Sequence, residues 1–106
     1  MRPILRNPAG TMNKTEARYA DCLELMKRAG EIIDWKFEPV KLKLAKRTSY
    51  TPDFLVVYPD RFELHEVKGH WEDDARVKIK VAQKQFPWFQ FVAIQWKNKT
   101  WVFEMF

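Results

Sequence analysis

Two carboxylates and a lysine, Asp53, Glu66 and Lys68, stand where they could form a small charged site. The segment 50–69 reads YTPDFLVVYPDRFELHEVKG, and its two short apolar runs flank a Pro-Asp-Arg turn signal, a pattern that predicts a β-hairpin. Asp53 opens the first predicted strand, and Glu66 and Lys68 close the second. Because side chains alternate between the two faces of a strand, Glu66 and Lys68 point the same way. The three charges therefore gather at the open end of the hairpin.

The length of the hairpin loop decides whether the two carboxylates meet. A two-residue loop, and equally a four-residue loop over 58–61, pairs Leu55 with Leu64 and Asp53 with Glu66, whereas an odd loop breaks this register. In this register the charges share their face with four apolar side chains, which are Leu55, Val57, Phe62 and Leu64. The charges then lie at the end of a core face, where perturbed charged groups often mark a functional site.

Two opposed carboxylates favour a bound cation. Directly opposite residues of an antiparallel pair have Cβ atoms about 4.5–5.5 Å apart, so Asp53 and Glu66 repel each other unless a cation lies between them. Oxygen ligands with an open coordination sphere suit Mg²⁺ or Mn²⁺, which also bind phosphate oxygens. The plainer alternative is that Asp53 ends a turn, and that Glu66 and Lys68 belong to the solvated face of an edge strand.

The motif resembles the PD-(D/E)xK signature of nucleases with the restriction-endonuclease-like fold. A Pro-Asp pair at 52–53 is followed, after twelve residues, by Glu-Val-Lys at 66–68. The Tyr-Thr-Pro-Asp-Phe context and the Glu-Val-Lys-Gly ending are similar to those of small phage endonucleases and Holliday-junction resolvases. The resemblance covers roughly 13–96 and implies a Mg²⁺-dependent DNA endonuclease, with Mn²⁺ as a substitute and a 5′-phosphate on the product.

The resemblance also implies roles for individual residues. Asp53 and Glu66 would bind the metal, with the Val67 carbonyl as a third ligand by strand geometry. The metal would polarise the scissile phosphate and lower the pKa of a bound water. Lys68 would either position that water or stabilise the developing negative charge.

Glu16 is a further candidate, on a predicted helix between Asn13 and Gly30. Apolar residues recur there at helical spacing, and they are Ala17, Tyr19, Ala20, Leu23, Met26 and Ala29. Glu16 lies on or beside this apolar face and has two interpretations. It is the third-position partner of an Asn13 cap, or it supplies a further metal-site carboxylate, as the resemblance implies for an acidic residue on the first helix.

The remaining elements predict an α+β or α/β domain with a mixed sheet. A strand over 35–44 breaks at Pro39, where the apolar parity changes. A second helix runs from the acidic triplet 72–74 to Pro87, with an apolar stripe of Ala75, Ile79, Ala82 and Phe86. Strands over 86–96 and 100–106 follow. The order α-β-β-β-α-β-β fits a restriction-endonuclease-like core, a mixed sheet flanked by helices, in a single domain over 1–106.

Basic residues predict contacts with nucleic acid. The chain has a net charge of +5 and a pI of about 9.4, a balance that favours a polyanionic partner. Residues 1–12 read as a flexible basic arm. The DNA-binding candidates are Lys46 and Arg47 in a loop before the motif, and Arg76, Lys80, Gln83 and Lys84 on one face of the second helix. The resemblance implies that this helix borders the nucleic-acid groove, with Lys80 or Gln83 near the site. A solvated charged surface is the alternative interpretation of both groups.

The size of the chain bears on its substrate. With 106 residues there is room for one core and none for a second domain that reads base sequence, so selectivity for a junction, flap, nick or single strand is expected rather than site-specific restriction. Among these substrates, the family resemblance together with the small size favours branched DNA. A resolvase makes paired cuts, which would imply a homodimer. A non-catalytic DNA-binding module on the same fold, or a small phage interaction protein, are the rival functions. The single Cys22 fits a reducing cytoplasm and the lack of a long apolar run predicts no membrane partner; the resemblance implies that this is the cytoplasm of a phage-infected or other bacterial cell.

Overall fold

The structure is a computed structural model that describes residues 10–70 and 73–106. Nine residues of the predicted basic arm, and position 72 of the acidic triplet, lie outside the described residues. The described residues form two helices and seven strands, which are α1 (Lys14–Arg28), β1 (Asp34–Phe37), β2 (Leu42–Ala45), β3 (Thr48–Tyr50), β4 (Phe54–Val57), β5 (Phe62–Lys68), α2 (Asp73–Gln85), β6 (Gln90–Lys97) and β7 (Thr100–Met105). Within the described residues, no helix is long and apolar enough to span a membrane.

Five of these strands form one mixed sheet in the order β1-β4-β5-β6-β7. The neighbours β5 and β6 are parallel, joined through α2, and the other neighbours are antiparallel. The strands β2 and β3 pair only with each other, as a separate two-stranded hairpin. The protein is therefore an α+β domain with a mixed sheet, as the sequence predicts.

Two apolar clusters lie on opposite faces of this sheet. On one face, α1 packs Tyr19 and Leu23 against β4 and β5 residues such as Phe54 and Val67. On the other face, α2 and the β2–β3 hairpin pack around Leu64 with a second set of buried residues, which are Leu42, Leu44, Tyr50, Ile79, Ala82, Phe91 and Ala93. Because neighbouring residues of a strand face opposite ways, even-numbered residues of β5 face α2 and odd-numbered ones face α1.

Both helices begin and end close to their predicted positions. Asn13 caps α1 in a reciprocal pair with Glu16: the Glu16 N–H donates to Asn13 Oδ1 at 2.8 Å, and the Asn13 N–H donates to Glu16 Oε1 at 2.9 Å. Gly30 follows the helix with φ of +79°, a backbone conformation that glycine adopts without strain. In α2 the predicted apolar stripe is confirmed, since Ile79 and Ala82 are buried against the sheet.

The strand predicted over 35–44 breaks at Pro39, as the sequence analysis expects, but its two pieces are separate strands of different sheets. The chain forms β1 in the main sheet and β2 in the separate hairpin, because Glu38 adopts a left-handed φ of +49° and Pro39 follows it. The Lys46–Arg47 segment is the tight turn between β2 and β3, with Arg47 at φ of +64°. The element order is therefore α-β-β-β-β-β-α-β-β. The strand predicted from 86 begins at Gln90, since Phe86 packs against the α2-face cluster instead.

Candidate active site

The predicted hairpin register is confirmed by the pairing of β4 with β5. Leu55 pairs with Leu64 and Phe54 with His65, and the Tyr58 N–H donates to the Arg61 carbonyl across the turn at 2.9 Å. One step beyond the end of β4, the same register sets Asp53 opposite Glu66. The side chains of Asp53 and Glu66 point to the same face of the sheet as those of Leu55 and Leu64, and this face packs against α2. The loop therefore has an even length, and the two carboxylates share one face.

Asp53 is held by the backbone of the strand beside it. Its Oδ2 accepts a hydrogen bond of 2.8 Å from the N–H of Val67. In the hairpin register the position opposite Val67 is Pro52, which has no N–H to donate to a carbonyl. Because the N–H and C=O of one strand residue point to the same side, we infer that the Val67 carbonyl also points towards Asp53, where Pro52 offers it no donor. The Pro-Asp pair thus leaves one backbone oxygen beside the Asp53 carboxylate.

Glu66 is held on both of its oxygens. The Tyr50 hydroxyl donates to Oε1 at 2.8 Å, and the Lys68 ammonium lies 3.2 Å from Oε2. Tyr50 is buried on β3, so the small hairpin fixes the orientation of Glu66. Asp53 and Glu66 are themselves only 6% and 7% exposed. Two nearly buried carboxylates are costly to keep charged, and such groups persist where they serve a site.

These side chains open into a cleft of about 500 Å³. The cleft lies between the end of the β4–β5 hairpin and the first turns of α2, and its lining residues are Tyr50, Thr51, Asp53, Glu66, Lys68, Asp74, Ala75 and Lys78. No described residue donates to Asp53 Oδ1, and no buried side-chain oxygen or nitrogen of the described chain lacks a partner. Asp53 Oδ1 therefore reaches the solvent of the cleft, where a ligand can bind it.

Burial and mutual repulsion set the protonation of the carboxylate pair. Burial, followed by the charge of Glu66, raises the pKa of Asp53 well above its ordinary value. Burial also raises the pKa of Glu66, although Lys68 and the Tyr50 hydroxyl partly offset it. Burial alone would lower the pKa of Lys68, but the Glu66 and Asp53 charges raise it, so the ammonium keeps its proton at neutral pH. A divalent cation in the cleft would relieve the repulsion that remains.

The donor set fits a hard divalent cation. Two carboxylates and the Val67 carbonyl offer oxygen ligands alone, the type that Mg²⁺ and Mn²⁺ prefer. Among the described residues, no group of three or more acidic, histidine or cysteine side chains is arranged to hold a metal. A metal here would take its other ligands from water and from substrate phosphate, as Mg²⁺ commonly does.

The metal-free protein should lose stability as the pH rises from acid to neutral values. Because both carboxyl pKa values are raised on folding, the unfolded chain binds fewer protons than the folded one above the ordinary carboxyl pKa of about 4. The stability that the pair contributes is complete below that value and is lost as the pH rises through the raised values. Urea unfolding in EDTA at about pH 5 and about pH 8 would measure this loss. Asp53→Asn should reduce this loss of stability. An equal pH dependence of stability in the wild type and Asp53→Asn would contradict the electrostatic coupling of Asp53 with Glu66.

Glu16 takes part in the helix cap and also acts on the site electrostatically. Its Oε1 is engaged by the Asn13 N–H, as one of the two sequence interpretations expects. Its negative charge nevertheless contributes to the raised pKa of both Asp53 and Lys68, as one of the smaller causes. The start of α1 therefore lies near the cleft, although Glu16 is not among the cleft-lining residues.

None of the predicted DNA-binding residues lines the cleft. Lys46 and Arg47 are exposed at the β2–β3 turn. Arg76 donates to both carboxylate oxygens of Glu104 on β7, so it is engaged within the protein. Three further candidates on α2 line no part of the cleft, namely Lys80, Gln83 and Lys84, of which Gln83 is half-buried.

The lysine of α2 that does line the cleft is Lys78, which the sequence analysis missed. Lys78 is three residues after Ala75 and four before Ala82, so it lies at the edge of the apolar stripe that faces the sheet. That spacing was the available signal. Tyr50 was also missed, because its partner Glu66 is sixteen residues away, on a strand with which β3 does not pair.

Removal of the Tyr50 hydroxyl should impair the site without unfolding the protein. Tyr50→Phe keeps the buried ring but leaves Glu66 Oε1 without its donor, at a cost of about 1–3 kcal/mol in stability. Glu66 would then be less firmly oriented, and metal affinity should fall roughly 10–100-fold. Titration with Mn²⁺ and urea unfolding would measure the two effects. Tyr58→Phe, at the far end of the hairpin, is the matched control, and equal metal affinity in Tyr50→Phe would remove Tyr50 from the site.

Comparison with known proteins places the chain in a family. Residues 11–104 match the family described as protein of unknown function (DUF1064), and the chain belongs to that family. Neither the curated proteins nor the solved structures contain a match to this chain.

Proposed function

We propose that the protein is a metal-dependent DNA endonuclease of the PD-(D/E)xK type, built on a restriction-endonuclease-like core. The observation that supports this most strongly is the pairing of Asp53 with Glu66. They are two nearly buried carboxylates on one face, opposite each other in register, beside a charged Lys68 and open to a polar cleft. A solvated edge strand would have no reason to bury two carboxylates with raised pKa values.

Five of the cleft-lining residues would have a task in phosphodiester hydrolysis, namely Tyr50, Asp53, Glu66, Lys68 and Lys78. Asp53 Oδ1, Glu66 and the Val67 carbonyl would hold Mg²⁺, which on binding supplies an activated water and polarises the phosphate. The Val67 N–H fixes the Asp53 carboxylate, and the Tyr50 hydroxyl fixes that of Glu66. Both ligands are therefore oriented before metal and substrate arrive, which reduces the cost of assembling the site.

The two cleft lysines would act on the negative charge of the phosphate. Lys68 is held beside Glu66, where it can orient the attacking water or stabilise the charge that develops on the phosphate oxygens. Lys78 lies across the cleft on α2 and is placed to bind a neighbouring backbone phosphate. Glu16, near the site but engaged in the cap of α1, would contribute negative charge that favours the cation.

We infer that branched DNA is the substrate and that two copies act together. Paired incisions need two sites. Among the described strands, β7 pairs with β6 alone and carries the exposed apolar side chains Val102, Phe103 and Met105. The opposite edge strand, β1, carries Asp34 and Lys36, which discourage pairing. A second copy would add antiparallel to β7 about a two-fold axis, and sedimentation of the protein would test this.

A DNA substrate and one free cysteine favour action in the host cytoplasm.

A cleavage assay tests the proposed function. Purified protein is incubated with supercoiled plasmid, linear duplex, a flap and a four-way junction, in Mg²⁺, in Mn²⁺ and in EDTA. Metal-dependent cutting is expected, with the junction or flap preferred and 5′-phosphates on the products. Binding without cutting would favour a non-catalytic DNA-binding module, and neither binding nor cutting would favour an interaction protein.

Charge reversal on the exposed face of α2 should weaken DNA binding. Lys80 and Lys84 are both exposed, so changing them together to Glu should leave the fold intact. Each lost phosphate contact removes about one unit from the slope of log affinity against log salt, so a decrease of about two is expected. Lys36→Glu, on the far edge strand, is the control. If the slope is unchanged in the double variant, the DNA lies elsewhere.

A further inference from the structure

An aromatic–basic patch, formed by Lys14, Arg18, Trp96, Lys97 and Lys99, lies on the α1 side of the sheet. The guanidinium of Arg18 stacks over the Trp96 ring, 4.5 Å from its centre. Trp96 in turn packs edge-on against Trp101, with ring centres 4.7 Å apart. Lys14 is one helical turn before Arg18 on α1, and the other two lysines lie at the β6–β7 turn. The four basic residues of the patch are exposed.

This patch lies at the same end of the sheet as the cleft. In the parallel pairing of β5 with β6, Lys68 is level with Gln95, and the Gln95 side chain donates to the Gly69 carbonyl at 3.3 Å. Trp96 is the next residue and faces the opposite side, because strand residues alternate. A chain leaving the cleft over the end of β5 and β6 would therefore meet the patch.

The basic residues of the patch have no acidic partner among the described residues. Within the described chain, none of its four basic residues lies within ion-pair distance of a carboxylate, whereas basic residues elsewhere do form such pairs. Examples are Lys27 with Asp34 and Arg61 with Glu63. Three lysines without an acidic partner, together with the Arg18 guanidinium stacked on the half-buried Trp96, create a local positive potential that attracts a polyanion.

We propose that the aromatic–basic patch binds single-stranded nucleic acid, the unpaired arm of a branched substrate whose scissile phosphate lies in the cleft. This inference rests on the proposed nuclease function and extends it to the origin of structure selectivity. Aromatic rings that stack bases, interleaved with cations that contact phosphates, are the features of sequence-independent single-strand binding. Arg18 already covers one face of Trp96, so a base stacks on the outer face of the guanidinium and extends the column.

Comparison of tailed and blunt DNA tests the proposal. A labelled duplex of about 20 base pairs, either blunt or with a single-stranded tail of about ten nucleotides, is titrated with protein in EDTA, so that binding is measured without cleavage. The tail should tighten binding by about tenfold. The double variant Lys97→Glu with Lys99→Glu, at an exposed turn, should lose this gain and keep its affinity for the blunt duplex. The control for the single variant Lys97→Glu is Lys36→Glu, the same charge reversal on the far edge strand. Lys36→Glu should keep the gain in affinity that the tail provides.

The outcomes separate this inference from the function on which it rests. If the wild type binds and cuts duplex DNA but gains nothing from the tail, the patch proposal fails and the nuclease proposal stands. The patch proposal is also overturned if the double variant keeps the gain in affinity from the tail, or if it loses affinity equally for blunt and tailed DNA. If neither DNA is bound or cut, both proposals fail. Trp96→Leu, checked for folding by thermal melting, should lose the tail gain, whereas Trp96→Phe should keep most of it.

Discussion

The Asp53→Asn protein is expected to fold, to bind DNA and to have almost no cleavage activity. The substitution keeps the size of the side chain, and the amide oxygen can still accept the Val67 N–H that now bonds Oδ2. It removes the negative charge that would hold a divalent cation next to Glu66. Cleavage should fall at least about a hundredfold, since losing even an outer-shell partner of a metal costs 10–100-fold. In the absence of metal, stability at neutral pH should hold or rise, because the repulsion between the two carboxylates is relieved.

Two control preparations make this result interpretable. Asp60→Asn introduces the same chemical change at the exposed turn of the same hairpin, and its cleavage rate should match the wild type. A Lys68→Ala preparation, purified in parallel, reports contaminating nuclease. Undiminished Mg²⁺-dependent cleavage by Asp53→Asn, above the Lys68→Ala background, would remove Asp53 from the site. It would also favour the alternative in which Asp53 only ends a turn, where Asn serves equally well.

Replacing Lys68 should have the second large effect, and with the opposite consequence for metal binding. Lys68→Met keeps the length of the side chain but removes the positive charge 3.2 Å from Glu66 Oε2. The cleft becomes more negative, so affinity for Mn²⁺ should hold or increase. Cleavage should fall by about 10²–10³-fold, the cost of losing one preorganised group that stabilises transition-state charge. Loss of cleavage with retained metal would separate the role of Lys68 from that of the two carboxylates.

Lys36→Met is the matched control, because Lys36 is exposed on the far edge strand. Its cleavage and its Mn²⁺ affinity should equal those of the wild type. If Lys68→Met cleaves normally, the lysine only neutralises the buried Glu66. If it loses metal affinity together with activity, its role is to maintain the structure of the site.

The geometry of the carboxylate pair followed from the sequence because it depends on parity alone. An even loop and a strict alternation of faces suffice to bring Asp53 opposite Glu66, and β4 and β5 pair in this register. The apolar run before each charge identified the buried face. Local rules also found α1 and its cap, where Asn13 and Glu16 lie three residues apart.

What the sequence did not reveal depends on contacts between distant elements. The separate β2–β3 hairpin arises from the left-handed backbone of Glu38, a residue type that gives no signal for this conformation. Tyr50 reaches Glu66 only because that hairpin folds over the α2 face of the sheet. Lys78 was overlooked because a lysine in a helix usually faces solvent, and the cleft exists only once α2 has packed on the sheet.

Binding of Mn²⁺ to the wild type and to Asp53→Asn, measured by calorimetry in the absence of DNA, tests the metal site most directly. The wild type should bind Mn²⁺ and release protons as it does so, because both carboxyl pKa values are raised in the metal-free protein. Its thermal unfolding temperature should rise with Mn²⁺ concentration. Asp53→Asn should show neither effect, whereas Asp60→Asn should show both. Equal Mn²⁺ binding by the wild type and Asp53→Asn would contradict the assignment of the cleft as a metal-dependent catalytic site.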